Sequence, residues 1–167
     1  MFFGGVIITL SSRISKFVLT VFSMLALFVA FTFGHASNAK ASVNYGEEVS
    51  QEAKRYVNTP YKWGGTTPKG FDASGFTQYV YKKAATKKVI PRTSALQYKE
   101  GKSVKQKQLK QGDLVFYATG KKGVVSFVAI YNGDGTFTGV TMDGVKVVKM
   151  SGKYWKDRYI GAKRIIK

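Results

Sequence analysis

Eighteen consecutive residues, Phe17 to Gly34, carry no charge, and this run divides the chain before any fold is considered. Arg13 and Lys16 precede it, small residues follow it, and Ala39-Lys40-Ala41 gives an A-x-A cleavage pattern before Ser42. Positive charge, apolar run and small-residue site is the order of a secretory signal peptide. The run is also close to the length of a membrane span, so an uncleaved N-terminal anchor is the alternative, and the only segment expected to enter a membrane. Under either reading residues 1–41 stand apart from the fold, and residues 42–167 form one domain outside the cytoplasm.

That domain has to hold itself together through its core. The chain of 167 residues has no cysteine, which excludes a disulfide framework, zinc–thiolate and Fe–S sites, and any cysteine nucleophile. Its one histidine, His35, falls inside the leader. Without the leader, Ser–His–Asp and Cys–His catalysis are both excluded, and neither a metal nor another cofactor is expected. The net charge is +18. Removing residues 1–41 takes away three basic and no acidic side chains, which leaves +15 on the remaining 126 residues. Such a charge either suits solubility in anionic surroundings or marks a binding face for an anionic wall polymer or lipid. No nucleic-acid-binding motif accompanies it, so nucleic acid is not an expected partner.

The pattern of residues 44–101 is helical and that of residues 113–166 is extended. Asn44 with Glu47 and Glu48 reads as a helix start. Val49, Ala53, Tyr56 and Val57 make its apolar stripe, and Asn58-Thr59-Pro60 ends it. Residues 61–72 read as a loop. A second helix is predicted from about Ala73 to Ala84. A short third one starts near Thr93 or Ser94, with Gln97 placed for a capping box, and stops at Gly101. Lysine-rich residues 99–110 read as a solvated connection. Strands are predicted at Asp113–Ala118, Val124–Tyr131, Thr136–Thr141, Val145–Met150 and Tyr159–Ile166, with a hairpin turn at Asn132-Gly133-Asp134-Gly135. Helices followed by about five strands, in blocks, predict an α+β domain with an antiparallel sheet.

Several motifs in order carry a family resemblance. Pro60-Tyr61-Lys62-Trp63-Gly64-Gly65, Gly70-Phe71-Asp72-Ala73-Ser74-Gly75-Phe76, Pro91-Arg92-Thr93-Ser94, Gly112-Asp113-Leu114-Val115-Phe116, Tyr154-Trp155 and Gly161-Ala162-Lys163-Arg164 resemble the NlpC/P60 family over residues 46–166. The resemblance implies a papain-like fold and cysteine-peptidase chemistry on peptidoglycan stem peptides. That chemistry needs a cysteine at a helix N-terminus, a histidine on a sheet strand and a third polar residue that orients the imidazole. The corresponding positions here are Ala73, Phe127 and Gly139. Three departures read as a natural pseudoenzyme rather than as one silenced nucleophile. Phe127 is expected close to Ala73, where its ring makes the centre apolar and narrower. Ser74 is the remaining hydroxyl, and it would need a base such as lysine to act.

The resemblance places Tyr61, Trp63, Asp72, Ser74 and Arg92 around the peptide pocket. Each also has a plainer reading. Tyr61 and Trp63 could pack their loop, Asp72 and Ser74 could cap a helix, and Arg92 could pair with a surface acid or hold a ligand carboxylate with its fork. The expected partner is a stem peptide, an anionic wall polymer or a partner protein. A hydrolase with a non-family mechanism and a basic secreted effector aimed at a protein target are the rival readings.

Overall fold

The computed structural model describes residues 44–84 and 86–166. The leader expected at residues 1–41 lies outside the described residues. Among the described residues no helix is long and apolar enough to cross a membrane.

Helix α1 spans Tyr45–Lys54 and is capped by Asn44, whose side chain accepts from the Glu47 amide at 3.2 Å. The helix ends three residues earlier than its apolar stripe suggests. Single turns carry the chain to Asn58, whose φ of 72° ends the helical geometry. The predicted loop 61–72 contains a small hairpin, β1 (Thr66–Thr67) with β2 (Gly70–Phe71). Helix α2 spans Ala73–Lys83 and buries Phe76, Thr77, Val80 and Tyr81. A Cβ at Gly75 would lie 2.1 Å from the Gly65 carbonyl oxygen, so only glycine lets the loop close onto the first turn of α2. Helix α3 is the single turn Ser94–Gln97, capped by Thr93. Gln97 does not complete a capping box. Its buried amide accepts from Thr77 Oγ1 at 2.8 Å and donates to the carbonyls of Ser74 at 3.0 Å and Pro91 at 2.7 Å.

The main sheet has six antiparallel strands where about five are expected. They are β3 (Lys102–Val104), β4 (Leu114–Tyr117), β5 (Phe127–Tyr131), β6 (Thr136–Thr141), β7 (Gly144–Lys149) and β8 (Tyr159–Arg164), in the order β3-β8-β4-β5-β6-β7. The extra strand, β3, lies inside the stretch read as a solvated connection, and a 3₁₀ turn at Gln106–Gln108 follows it. Lysine on a short edge strand blunts that edge against further pairing, and it also hides the strand from any alternating pattern. A short helix, α4 (Lys153–Lys156), precedes β8.

All four residues of β4 are buried, because the sheet is covered on both faces. Leu114 and Phe116 join Val49, Phe76, Val80, Val128 and Ile130 in one apolar cluster. Val115 and Tyr117 join Phe127, Ala129, Phe137 and Met150 in the other. Ala73, at the start of α2, packs against both. The C-terminal end of β8 is tied to the start of β4 by Arg164, which donates to Asp113 through Nε at 2.8 Å and Nη2 at 2.7 Å.

Candidate functional site

Helix α2 begins at an open cleft of about 970 Å³. Tyr61, Trp63, Asp72, Ser74 and Arg92 all line it, as do Ala73 and Phe127. Residues from segments distant in sequence are thus gathered within one concavity. Gly139 is buried on β6, behind the cleft wall.

The polar side of the cleft is a closed network. Asp72 caps α2 by accepting from the Gly75 amide at 2.7 Å. Arg92 forks onto the same carboxylate, with Nη1 donating to Oδ1 at 3.0 Å and Nη2 donating to Oδ2. The same Nη1 donates to Ser74 Oγ at 3.0 Å, and Ser74 Oγ donates to Asp72 Oδ1 at 3.3 Å. Arg92 therefore pairs with an acid inside the cleft and not on the outer surface, with its fork already engaged. Gln97 bonds to both Pro91 and Ser74, so it fixes the segment that carries Arg92 against the first turn of α2.

Burial pushes the Asp72 carboxyl up. Hydrogen bonds from Arg92 and from the Gly75 amide, together with the guanidinium charge and Ser74, outweigh burial and hold it below the ordinary value of 3.8. A depressed folded value means that the stabilisation is complete above 3.8 and is lost as pH falls through the lower folded value. Acid titration of unfolding should show a loss of stability below pH of about 4 that Asp72→Asn diminishes. An identical acid limb in Asp72→Asn would assign that loss to other carboxylates.

The other side of the cleft is aromatic. Phe127 is 7% exposed, and its ring centroid lies 4.9 Å from that of Trp155 and 6.0 Å from those of Tyr117 and Phe137. The strand register read from the sequence holds, because Phe127 faces inward with Ala129. Phe127 leaves the cleft open, because the ring lies back among its aromatic neighbours. It does crowd Gly139. A Cβ there would lie 2.7 Å from Ala129 Cβ, 3.1 Å from Phe127 Cζ and 3.3 Å from Phe137 Cε2.

Sequence reading misses the opposite rim, which is formed by Met142 and Asp143 in the β6–β7 turn and by Tyr154 and Trp155 on α4. The available signal is Tyr154-Trp155, two adjacent large aromatics in a lysine-rich surface stretch. None of the 22 lysines lies among the described residues that line the cleft.

Residues 58–164 match the model of the NlpC/P60 family. The chain belongs to the NlpC/P60 family. A probable peptidoglycan endopeptidase of Bacillus subtilis (strain 168), LytE, is 44% identical over 124 residues, which is 74% of this chain and 35% of that protein. A gamma-DL-glutamyl hydrolase of the same organism is 39% identical over 155 residues, 90% of this chain and 36% of that protein. Among solved structures, an NlpC/P60 family protein from Bacillus cereus ATCC 10987 aligns with a TM-score of 0.68 at 34% identity, over 73% of this chain and 40% of that one. The NlpC/P60 domain of the peptidoglycan hydrolase SagA aligns with a TM-score of 0.62 at 35% identity, over 71% of this chain and 97% of that one. The α+β fold with its antiparallel sheet is thus the fold of NlpC/P60 domains. This NlpC/P60 chain spans between 35% and 49% of the length of the first three curated relatives.

Proposed function

We propose that this chain is an extracytoplasmic NlpC/P60 domain without peptidase chemistry, which holds cell-wall peptide in its cleft and acts by occupancy or by regulating a partner hydrolase. The observation that carries this reading is one juxtaposition. An intact polar cradle, Asp72–Ser74–Arg92, shares the cleft with Ala73 and Phe127, and Gly139 packs against Phe127; these are the positions where the family resemblance expects nucleophile, base and orienter.

The remaining route to hydrolysis is weak on chemical grounds. Ser74 would need a base within hydrogen-bond reach. Its hydroxyl already donates to Asp72, a carboxylate that Arg92 forks and holds below its ordinary value. A depressed carboxylate is a poor proton acceptor for an alcohol. A Ser–Lys pair lacks its lysine among the described cleft residues. The sequence has no imidazole except His35.

Relatives named as peptidoglycan endopeptidase and murein DD-endopeptidase support peptidoglycan as the ligand. The charge of the chain supports a second contact, with an anionic wall polymer, and a cleft lining without lysine among its described residues favours the outer surface for that contact. The deciding assay is digestion. Incubated with peptidoglycan or stem peptides, the chain should release no amino termini above buffer, with or without Ser74→Ala. Turnover that Ser74→Ala abolishes would overthrow this reading in favour of a hydrolase with a non-family mechanism.

A further inference from the structure

The cleft rim exposes apolar surface outside the Asp72–Ser74–Arg92 cradle. Trp63 is 86% exposed, Met142 78% and Tyr154 48%, and all three line the same opening. They come from three separate segments with defined positions. Strand β7, which follows the turn that carries Met142, is bonded near its start to the chain leading to Trp63, with the Val145 amide donating to the Thr59 carbonyl at 2.9 Å and the Asn58 amide donating to the Val145 carbonyl at 2.9 Å. Tyr154 is held edge-on to Trp155 at 5.0 Å, with the Arg158 guanidinium 3.9 Å from its ring centroid. Clustered apolar exposure around a concavity marks a recognition site.

Charge selects the occupant. In a chain of net charge +18, the described residues that line this cleft include no lysine, their one arginine is neutralised by Asp72, and Asp143 adds a negative charge that disfavours an anion. A polyanion would be drawn to the lysine-bearing surface outside it. Flat side chains with an apolar body and a polar edge suit an uncharged ligand that has C–H faces and hydroxyl edges. Asp143, beside Met142, offers carboxylate oxygens to such hydroxyls, whereas the Thr141 hydroxyl already donates to the Gly144 carbonyl and accepts from the Asp143 amide. A pyranose ring has this chemistry, and in peptidoglycan it is joined to the stem peptide.

We propose that the Trp63–Met142–Tyr154 rim is a saccharide subsite, which holds an amino-sugar ring of the glycan strand while the cradle at Asp72 holds the attached peptide. The proposal rests on the reading of the cleft as a cell-wall receptor. Calorimetric titration of the full chain with three probes tests both. The probes are a free stem peptide, the same peptide carrying its disaccharide, and a peptide-free glycan oligomer. The disaccharide-peptide should bind about tenfold tighter than the free peptide, a difference of about 1.4 kcal/mol. In Trp63→Ala combined with Tyr154→Ala the ratio of the two affinities should fall towards one. Circular dichroism of that variant should match the wild type, because both side chains are substantially exposed. Equal affinity of the two peptide probes for the wild type, or an unchanged ratio in the variant, overturns the saccharide subsite and leaves the receptor reading in place. Binding of the glycan oligomer with none of the free peptide supports the subsite and overturns the peptide cradle. No binding of any probe overturns both.

Discussion

Ala73→Cys combined with Phe127→His and Gly139→His is expected to give a poorly folded protein and no peptidase. The obstacle is Ala129, which none of those three changes removes. A Cβ at Gly139 would lie 2.7 Å from Ala129 Cβ, and a methyl fixed to a strand cannot rotate away. Phe127→His relieves only the second contact, the one at 3.1 Å. Overpacking by single methylenes costs about 1–3 kcal/mol, so Gly139→Ala alone should lose about 2 kcal/mol and an imidazole more. Adding Ala129→Gly to the triple variant should recover much of that loss, less about 1 kcal/mol for glycine in a strand. Urea midpoints of the triple and quadruple variants measure this directly. On the quadruple variant, the alkylation rate of the introduced thiol against pH reports whether a thiolate has formed below the ordinary thiol value of about 8.5. A triple variant as stable as the wild type would show that β5 and β6 part freely, and would sink the steric argument.

Arg164→Met should be among the most damaging single changes outside the cleft. The Asp113 side chain is 2% exposed, and Arg164 satisfies both of its oxygens, with the Lys110 amide adding one bond at 2.8 Å. Removing the guanidinium leaves a buried carboxylate with that single donor, at a cost of about 3–5 kcal/mol. Replacing both partners, Arg164→Met with Asp113→Leu, should cost much less, because the uncompensated charge goes with them. Chemical unfolding of the two variants checks the pair. A loss under about 1 kcal/mol for Arg164→Met alone would mean that water compensates Asp113.

The parts of the fold that can be read from the sequence are those with a local cause. Asn44 and Asp72 cap helices because their side chains reach an amide three residues on. Strand β6 matches its expected bounds, Thr136–Thr141, because Gly135 and Asp143-Gly144 mark a turn on either side of it. Strand β3 escapes because its pairing with β8 is set by distant residues, while its own sequence is lysine-rich and edge-exposed. In the cleft, the motif residues are found because they sit in contiguous words. What escapes is anything decided by three-dimensional approach. The Arg92 fork is filled by Asp72, twenty positions away, the fate of Gly139 is decided by a methyl on the neighbouring strand, and the rim joins the motif residue Tyr154 to Met142, which lies in no motif.

The lysines of this domain are not gathered into one patch. They stand at the ends of α1 and α2, along residues 99–110, on β7, on α4 and on β8, and in loops at residues 62, 69, 87, 88, 121 and 122, and the described cleft lining has none. If its partner is an anionic wall polymer, as proposed, a body charged in this way would stick to that mesh in many orientations, each held weakly by screened contacts. It would then roll and hop along the mesh with its opening presented in turn to whatever is attached there. Search then becomes a walk over a surface in place of diffusion through a volume, and ionic strength sets the length of each step.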